Sequence, residues 1–127
     1  MLDQYDCTAT LPASDIERAK AWYRDKLGFT PAEEFPDGSA NYKSGSSKFF
    51  LYPTQYAGTA QNTALGWDVD DLEKVVEDLR GRGVVFEEYD FPGLKTVNGI
   101  AELEGVERAA WFKDSEGNIL SVGQRTS

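Results

Sequence analysis

The sequence of 127 residues contains no histidine and a single cysteine, Cys7. Histidine is the commonest metal ligand in proteins and the commonest general base, so its absence excludes Ser-His-Asp and Cys-His catalysis. A lone cysteine cannot form a disulfide within the chain, which is consistent with a reducing cytoplasm.

Basic residues and long apolar runs are also scarce. Thirteen Lys and Arg residues face 22 Asp and Glu residues, and the net charge of -9 disfavours binding to nucleic acid or to anionic membranes. The first residues, "MLDQYDCTAT", have neither the basic nor the apolar region of a signal peptide. We therefore expect a cytoplasmic protein with no nucleic-acid partner and no membrane partner.

One pattern is present twice. An amphipathic helix is predicted over residues 15–29, where Ser14 and Glu17 have the spacing of a capping box and Gly28 supplies the left-handed end. A second helix is predicted after Asp70, in the stretch "DLEKVVEDLRGRGVVF".

Each helix follows a short alternating segment and precedes further strand-like segments, including "VVFEEY" in the second half. The chain thus reads as β-α-β-β-β written twice, in modules of about residues 1–53 and 63–127 joined by a linker at 54–62. Turns with Gly45 and Gly117 at positive φ are predicted to close the last hairpin of each module.

Half of this chain is too small to bury both faces of its sheet. The sequence therefore predicts one α+β domain over residues 1–127, in which the two modules form a curved half-barrel with the helices outside and a cleft on the concave side. Whether the two modules pair within one chain or exchange between two chains stays open.

Three stretches of this sequence resemble the vicinal oxygen chelate superfamily, which includes glyoxalase I, extradiol dioxygenases and bleomycin-resistance proteins. They are "LPASDIERAKAWYRDKLGF" (residues 11–29), "GWDVDDLEKVVEDLRGRGV" (residues 66–84) and "AAWFKDSEGNIL" (residues 109–120). The resemblance implies the glyoxalase/bleomycin-resistance fold and favours a homodimer. It is a poor guide to activity, since members of the family differ widely in chemistry.

The resemblance also implies four positions at which the family's enzymes bind a divalent metal. In this sequence they fall at Thr8, near Phe50 or Tyr52, at Ala64 and at Ser121. None of these side chains is a competent ligand for zinc, iron or nickel. The resemblance therefore points to members that bind a ligand without a metal, and we expect no cofactor.

Strand alternation adds further residues to these four positions and so predicts a binding surface. Gly66 and Asp68 share a face with Ala64, and Phe112 is placed on the face of Ser121, although a register error of one residue would exchange it for Trp111. Cys7 alternates away from Thr8 and is expected to be a small buried hydrophobe. The predicted ligand-binding residues are Thr8, Phe50, Tyr52, Ala64, Gly66, Asp68, Phe112 and Ser121.

Three functions remain open at this stage. The first is a metal-free binding protein for a small aromatic or amphipathic molecule, such as an antibiotic or another natural product. The second is an enzyme, either metal-independent with a carboxylate such as Asp68 or a tyrosine as base, or metal-dependent at a non-standard site. The third is a scaffold that only dimerises. The segment 87–105 is longer than a hairpin needs and is interpreted either as a lid or as a solvated connector.

Overall fold

The computed structural model describes residues 1–126, and the first half of the chain folds into one helix and a four-stranded sheet. The elements of this half are β1 (Ala9–Ala13), α1 (Ile16–Trp22), β2 (Glu33–Glu34), β3 (Ala40–Ser44) and β4 (Ser47–Pro53). The strand order is β1-β4-β3-β2, with β1 parallel to β4 and the other pairs antiparallel. We call this sheet the first sheet.

The second half repeats this arrangement with a longer sheet. Its elements are β5 (Thr63–Asp68), α2 (Leu72–Gly81), β6 (Asp90–Phe91), β7 (Leu94–Val97), β8 (Ile100–Leu103), β9 (Glu107–Lys113) and β10 (Ile119–Arg125). The order of this second sheet is β5-β10-β9-β8-β7-β6, and β5 is again parallel to its neighbour β10. The predicted α+β fold with a duplicated β-α-β-β-β pattern is therefore confirmed. Within residues 1–126, neither helix has the length and apolar character that crossing a bilayer requires.

Both helices begin one residue later than the sequence predicted. The N-cap of α1 is Asp15, whose carboxylate accepts a hydrogen bond from the Arg18 backbone N–H at 3.1 Å. The N-cap of α2 is Asp71, which accepts from the Lys74 N–H at 3.2 Å. In each case the carboxylate of the N-cap satisfies one of the helix's free N–H groups. The prediction for the end of the first helical segment is confirmed, because a π-helical turn (Tyr23–Leu27) follows α1 and ends at Gly28 with φ 80°.

The segment 87–105 is neither a lid nor a plain connector, because much of it adds three strands to the edge of the second sheet. A two-residue turn at Asn98 and Gly99, with φ of 54° and 81°, joins β7 to β8. This is the Asn-Gly signature of a tight hairpin, in which both central residues need positive φ. The strand predicted over "VVFEEY" is reduced to an isolated bridge between Phe86 and Phe112.

One continuous hydrophobic core holds the two halves together. It contains the helix-covered faces of both sheets, with Leu11, Tyr42, Phe49 and Leu51 from the first and Phe112, Leu120 and Val122 from the second. The segment that begins with α1 contacts both sheets. The Tyr23 ring lies 5.7 Å from that of Phe49, and the Trp22 ring stacks with that of Phe112 at 6.3 Å. Each sheet therefore has one face in the shared core and an opposite, helix-free face on the outside.

The turn between β9 and β10 is a polar anchor for the first half. The Asp114 carboxylate accepts the Tyr23 hydroxyl at 2.7 Å and the backbone N–H of Asn118 at 2.9 Å. The Asn118 side chain in turn donates to the Pro12 carbonyl oxygen at 2.9 Å. Burial, reinforced by the negative charge of Asp114, raises the pKa of Tyr23 well above its ordinary value, so the phenol stays protonated as the donor. Gly117 has φ 88°, which confirms the positive φ predicted for this turn.

The same turn carries a buried carboxylate, Glu116, whose side chain has no exposed surface. Its oxygens accept hydrogen bonds from the Arg18 guanidinium at 2.9 and 3.1 Å, from the Asp15 N–H at 2.9 Å and from the hydroxyls of Ser14 and Ser115. Burial alone raises the pKa of Glu116, but these hydrogen bonds and the Arg18 charge outweigh it and lower the pKa to about 2. Ser14 therefore contributes to this ion-pair cluster rather than to a capping box.

Candidate functional site

The helix-free face of the first sheet carries a patch of aromatic side chains. Phe50 and Tyr52 lie two residues apart on β4, and their rings are nearly parallel with centroids 6.4 Å apart. Phe35 packs edge-on against Phe50 at 6.0 Å. Phe50 is half-buried, and Tyr52 and Phe35 are each 37% exposed. We call Phe35, Phe50 and Tyr52 the first aromatic patch.

Thr8 lies just before β1 and is half-buried. Thr10, two residues further along the chain in β1, is the register partner of Phe50, which places Thr10 beside the first aromatic patch. Cys7 is exposed, so the expectation that it is buried is wrong. The strand begins only at Ala9, and alternation within a strand does not determine the burial of a residue that precedes it.

The helix-free face of the second sheet brings Gly66 and Ser121 together. These residues are register partners in the parallel pair of β5 and β10. A Cβ on Gly66 would lie 2.5 Å from the Ser121 hydroxyl oxygen, so the absence of a side chain at Gly66 is what permits this close approach. Ala64, Gly66 and Asp68 are all exposed, as their shared face predicts.

Phe112 does not belong to this face, and its predicted position is wrong. In the antiparallel pair of β9 and β10, Ser121 is opposite Trp111, whereas Phe112 is opposite Leu120 and is fully buried in the core. The turn leaves Lys113 paired with Ile119, which shifts the register by one residue from the predicted one. Trp111 therefore takes the place that the sequence analysis assigned to Phe112.

Trp111 forms a second aromatic patch on the helix-free face of the second sheet. Its indole N–H donates to the Thr63 hydroxyl at 3.2 Å, and the Tyr89 ring meets it edge-on at 5.7 Å. Phe91 lies 5.5 Å from Tyr89 and is 54% exposed. We call Tyr89, Phe91 and Trp111 the second aromatic patch. Neither Tyr89 nor Phe91 is among the predicted site residues. Tyr89 ends the predicted strand "VVFEEY" and was assigned to no face, and Phe91 lies in the stretch interpreted as a loop.

The predicted residues thus divide between two sheets. Phe50 and Tyr52 lie in the first aromatic patch and Thr8 just before β1 of the same sheet, whereas Ala64, Gly66, Asp68 and Ser121 lie on the second sheet. Among the described residues, every ring contact of the two patches stays within its own patch. One chain therefore presents two separate aromatic patches, each with one or two hydroxyl groups nearby.

The donor set on these faces does not fit the divalent metal of the family's enzymes. The four implied positions supply two aliphatic hydroxyls, a methyl group and an aromatic side chain, whereas transition-metal sites use imidazole, thiolate and carboxylate ligands. Across residues 1–126, no three side chains of His, Cys, Asp or Glu are grouped in a way that could hold a metal ion. The side chains at these four positions therefore do not form the metal site of the family's enzymes.

Comparisons with solved structures identify the same fold over nearly the whole chain. A glyoxalase/bleomycin resistance protein/dioxygenase from Alicyclobacillus acidocaldarius has a TM-score of 0.70 at 16% identity, covering 97% of this chain and 92% of that one. Lactoylglutathione lyase from Agrobacterium tumefaciens has a TM-score of 0.68 at 18% identity, covering 94% and 92%. TnmS3, an antibiotic binding protein from Streptomyces sp. CB03234, has a TM-score of 0.61 at 21% identity, covering 96% and 98%.

A comparison with curated proteins gave no match. The family model described as the Glyoxalase/Bleomycin resistance protein/Dioxygenase superfamily matches residues 6–122. This match spans most of the chain, and it agrees with the duplicated β-α-β-β-β topology. The chain therefore belongs to the Glyoxalase/Bleomycin resistance protein/Dioxygenase superfamily.

Proposed function

We propose that this protein binds a flat aromatic or amphipathic small molecule without a metal ion, and that it does so as a homodimer. The observation that carries the proposal is the pair of aromatic patches on the helix-free faces, where the fold's metal-ligand positions hold no metal-binding side chains. Exposed aromatic rings beside a few hydroxyls suit a polycyclic organic ligand better than a sugar or a free phosphate.

The chemistry around the second aromatic patch supports a ligand with a planar ring system. Trp111 is held by its hydrogen bond to Thr63 and by the edge of Tyr89, so its indole is a fixed wall rather than a mobile side chain. Beside it, the Gly66 backbone has no side chain to keep a ligand away, and Ser121 offers one hydroxyl. A ligand of about 30 heavy atoms, at roughly 0.3 kcal/mol per atom, would bind at micromolar strength or better.

The position of the two aromatic patches, which we propose as half-sites, supports the proposed homodimer. Since the helix-covered faces of both sheets meet in one core, the helix-free faces lie on the outside of a single chain. A second copy that sets its first sheet against the second sheet of its partner would place the two aromatic patches across one cleft and close two equivalent sites. The modules that face each other across the cleft would then come from different chains, which is one of the two arrangements that the sequence left open. The antibiotic-binding activity in the name of TnmS3 is consistent with a site of this kind.

Native mass spectrometry of the freshly purified protein tests both parts of the proposal. We expect a dimer mass and a co-purifying organic molecule, which tandem mass spectrometry then identifies and calorimetry titrates back. Ser121→Trp places an indole on the floor of the second half-site and should abolish binding, whereas Ser46→Trp, on the exposed turn between β3 and β4, should not. A folded Ser121→Trp variant that binds as well as the parent would place the ligand elsewhere, and a monomer at binding concentrations would overturn the shared cleft.

A further inference from the structure

A separate cavity, open to solvent on one side, lies at the junction of the two halves, beside the helix-covered side of the sheets. Its volume is about 230 Å³. The walls come from both halves, with Leu27 and Phe29 after α1, Trp67 and Val69 at the end of β5, and Val75 on α2. Its floor is made by buried core side chains, among them Phe112 and Val122 of the second sheet. This junction cavity shares no aromatic residue with either aromatic patch.

The junction cavity is bordered by apolar side chains that the core leaves partly exposed. Ten partly buried hydrophobic residues border the core, and the five wall residues are half of them. Protein interiors are otherwise close-packed, and the lining atoms of a gap lose the contacts that a filled site would provide. An apolar molecule of matching size would restore those contacts without displacing any part of the fold.

The polar groups of the junction cavity disfavour an anionic ligand, and most of its walls are apolar. The Trp67 indole N–H donates to the Ser44 hydroxyl at 2.9 Å, so this pair satisfies itself and needs no partner from a ligand. The Trp67 ring also stacks with Phe29 at 6.1 Å and an interplanar angle of 27°, which gives the cavity an aromatic wall. No basic residue lines it, whereas Asp68 does, and this carboxylate would repel an anion.

We propose that the junction cavity is a second binding site, for an uncharged molecule with a single aromatic ring. The size supports this class, because about 150 Å³ of apolar space suffices to hold one benzene ring. The site shares no ring with either aromatic patch, although Asp68 at the end of β5 borders both the junction cavity and the helix-free face of the second sheet. A molecule bound there contacts both halves at once and stabilises their junction.

Toluene is the probe for this site. Titration into ¹⁵N-labelled protein should give saturable shifts of the amides of residues 27–29, 67–69 and 75, with a Kd on the order of 100 μM for so small a ligand. Toluene should also raise the Tm in a concentration-dependent manner, as expected of a molecule that binds only the folded state. Benzoate, an anion of similar size, should bind at least 10-fold more weakly.

Variants separate the junction cavity from the proposed cleft. Val75→Phe fills the cavity and should weaken toluene binding at least 10-fold, whereas Lys74→Phe, exposed on the same helix, should leave it unchanged. Ser121→Trp should also leave toluene binding unchanged, so a failure of the cleft and a failure of the junction cavity give different results.

Three results would overturn the proposal. They are the absence of saturable shifts up to the solubility limit, shifts centred on the amides of Phe50 and Trp111 instead, and a Val75→Phe variant that binds like the parent. Should Val75→Phe fail to fold, intermolecular NOEs in the parent protein decide the question. They must connect the toluene protons with the Trp67 ring and the Val75 methyl groups, and their absence under saturating toluene refutes the site.

Discussion

Replacing Glu116 by glutamine should destabilise the protein at neutral pH and have little effect in acid. The side chain has no exposed surface and accepts hydrogen bonds from Arg18, Asp15 and two serines, which hold its pKa at about 2. The ordinary value is 4.5. At about 1.4 kcal/mol per pKa unit, this difference corresponds to roughly 3 kcal/mol of folding free energy when the carboxylate is ionised.

The sign of the pH dependence follows from the direction of the shift. The pKa is lower in the folded protein than in the unfolded chain, so the stabilisation is fully present above about pH 4.5 and is lost as the pH falls toward 2. Glutamine keeps one acceptor oxygen for the Asp15 N–H but loses the charge that pairs with Arg18. We therefore expect Glu116→Gln to lower the free energy of unfolding by about 2 kcal/mol at pH 7, and by much less near pH 2.5.

Urea denaturation at several pH values between 7 and 2.5 measures this effect. With a typical slope of about 2 kcal/mol per molar urea, the midpoint of the variant should lie about 1 M below that of the parent at pH 7. Other carboxylates titrate in the same range, so the quantity to follow is the difference between variant and parent. Glu77→Gln is the control, since Glu77 is exposed and makes no hydrogen bond or ion pair among the described residues. A difference below 0.5 kcal/mol at pH 7, or one that does not shrink in acid, would refute the reasoning.

Two further predictions concern the last turn and metals. Gly117→Ala should destabilise the protein by more than Gly45→Ala. Both variants place a side chain at positive φ, which costs about 1–2 kcal/mol, but only at Gly117 would the new Cβ meet backbone, at 2.9 Å from the Gly58 Cα. Equal losses in the denaturation midpoint would contradict this prediction. Dialysis against EDTA should change neither the Tm nor ligand binding, and elemental analysis should find less than about a tenth of a metal ion per chain; stoichiometric metal that survives dialysis, together with activity lost on chelation, would return the chain to the metalloenzymes.

The sequence predicts those parts of the fold that are determined by residues close together in the chain. The helices have acidic caps and apolar stripes, and Gly28 and Gly117 stand where a left-handed backbone is needed, so periodicity and turn chemistry suffice to place them. The duplication itself was visible because both copies carry these same signals. The start of α1 differs by one residue from the prediction because Ser14 and Asp15 are both good N-caps, and a contact with distant Glu116 decides between them.

The composition of the candidate site depended on a register that sequence did not specify. Trp111 and Phe112 are adjacent, and the length of the turn decides which of them faces Ser121. That length is set by Asp114, whose carboxylate accepts the N–H groups of both Glu116 and Asn118 and closes the loop. Alternation alone leaves both assignments possible.

The edge strands of the second sheet were not predicted, although the sequence contains a local signal for them. Asn98 and Gly99 are a strong local sign of a two-residue hairpin, and the strands on either side, Leu94–Val97 and Ile100–Leu103, are only four residues long. Two such short strands between charged neighbours resemble a loop by composition. Reading the turn before the strands would have placed Tyr89 and Phe91 beside the sheet rather than on a lid.

The contacts that join the two halves lie on one side of the sheets, and the exposed aromatic side chains lie on the other side. This separation supports the proposed function. The halves are joined on the helix-covered side by the shared core, the Tyr23–Asp114 hydrogen bond and the Glu116 cluster. The helix-free faces contribute little to that junction, so Tyr52 and Phe91 remain substantially exposed in a single chain. Burial of apolar side chains contributes about 25 cal/mol for each Å² of surface removed from water, so a ligand or a second copy that covers these side chains would gain this free energy. Folding therefore depends on one side of each sheet, and binding can use the other without weakening the fold.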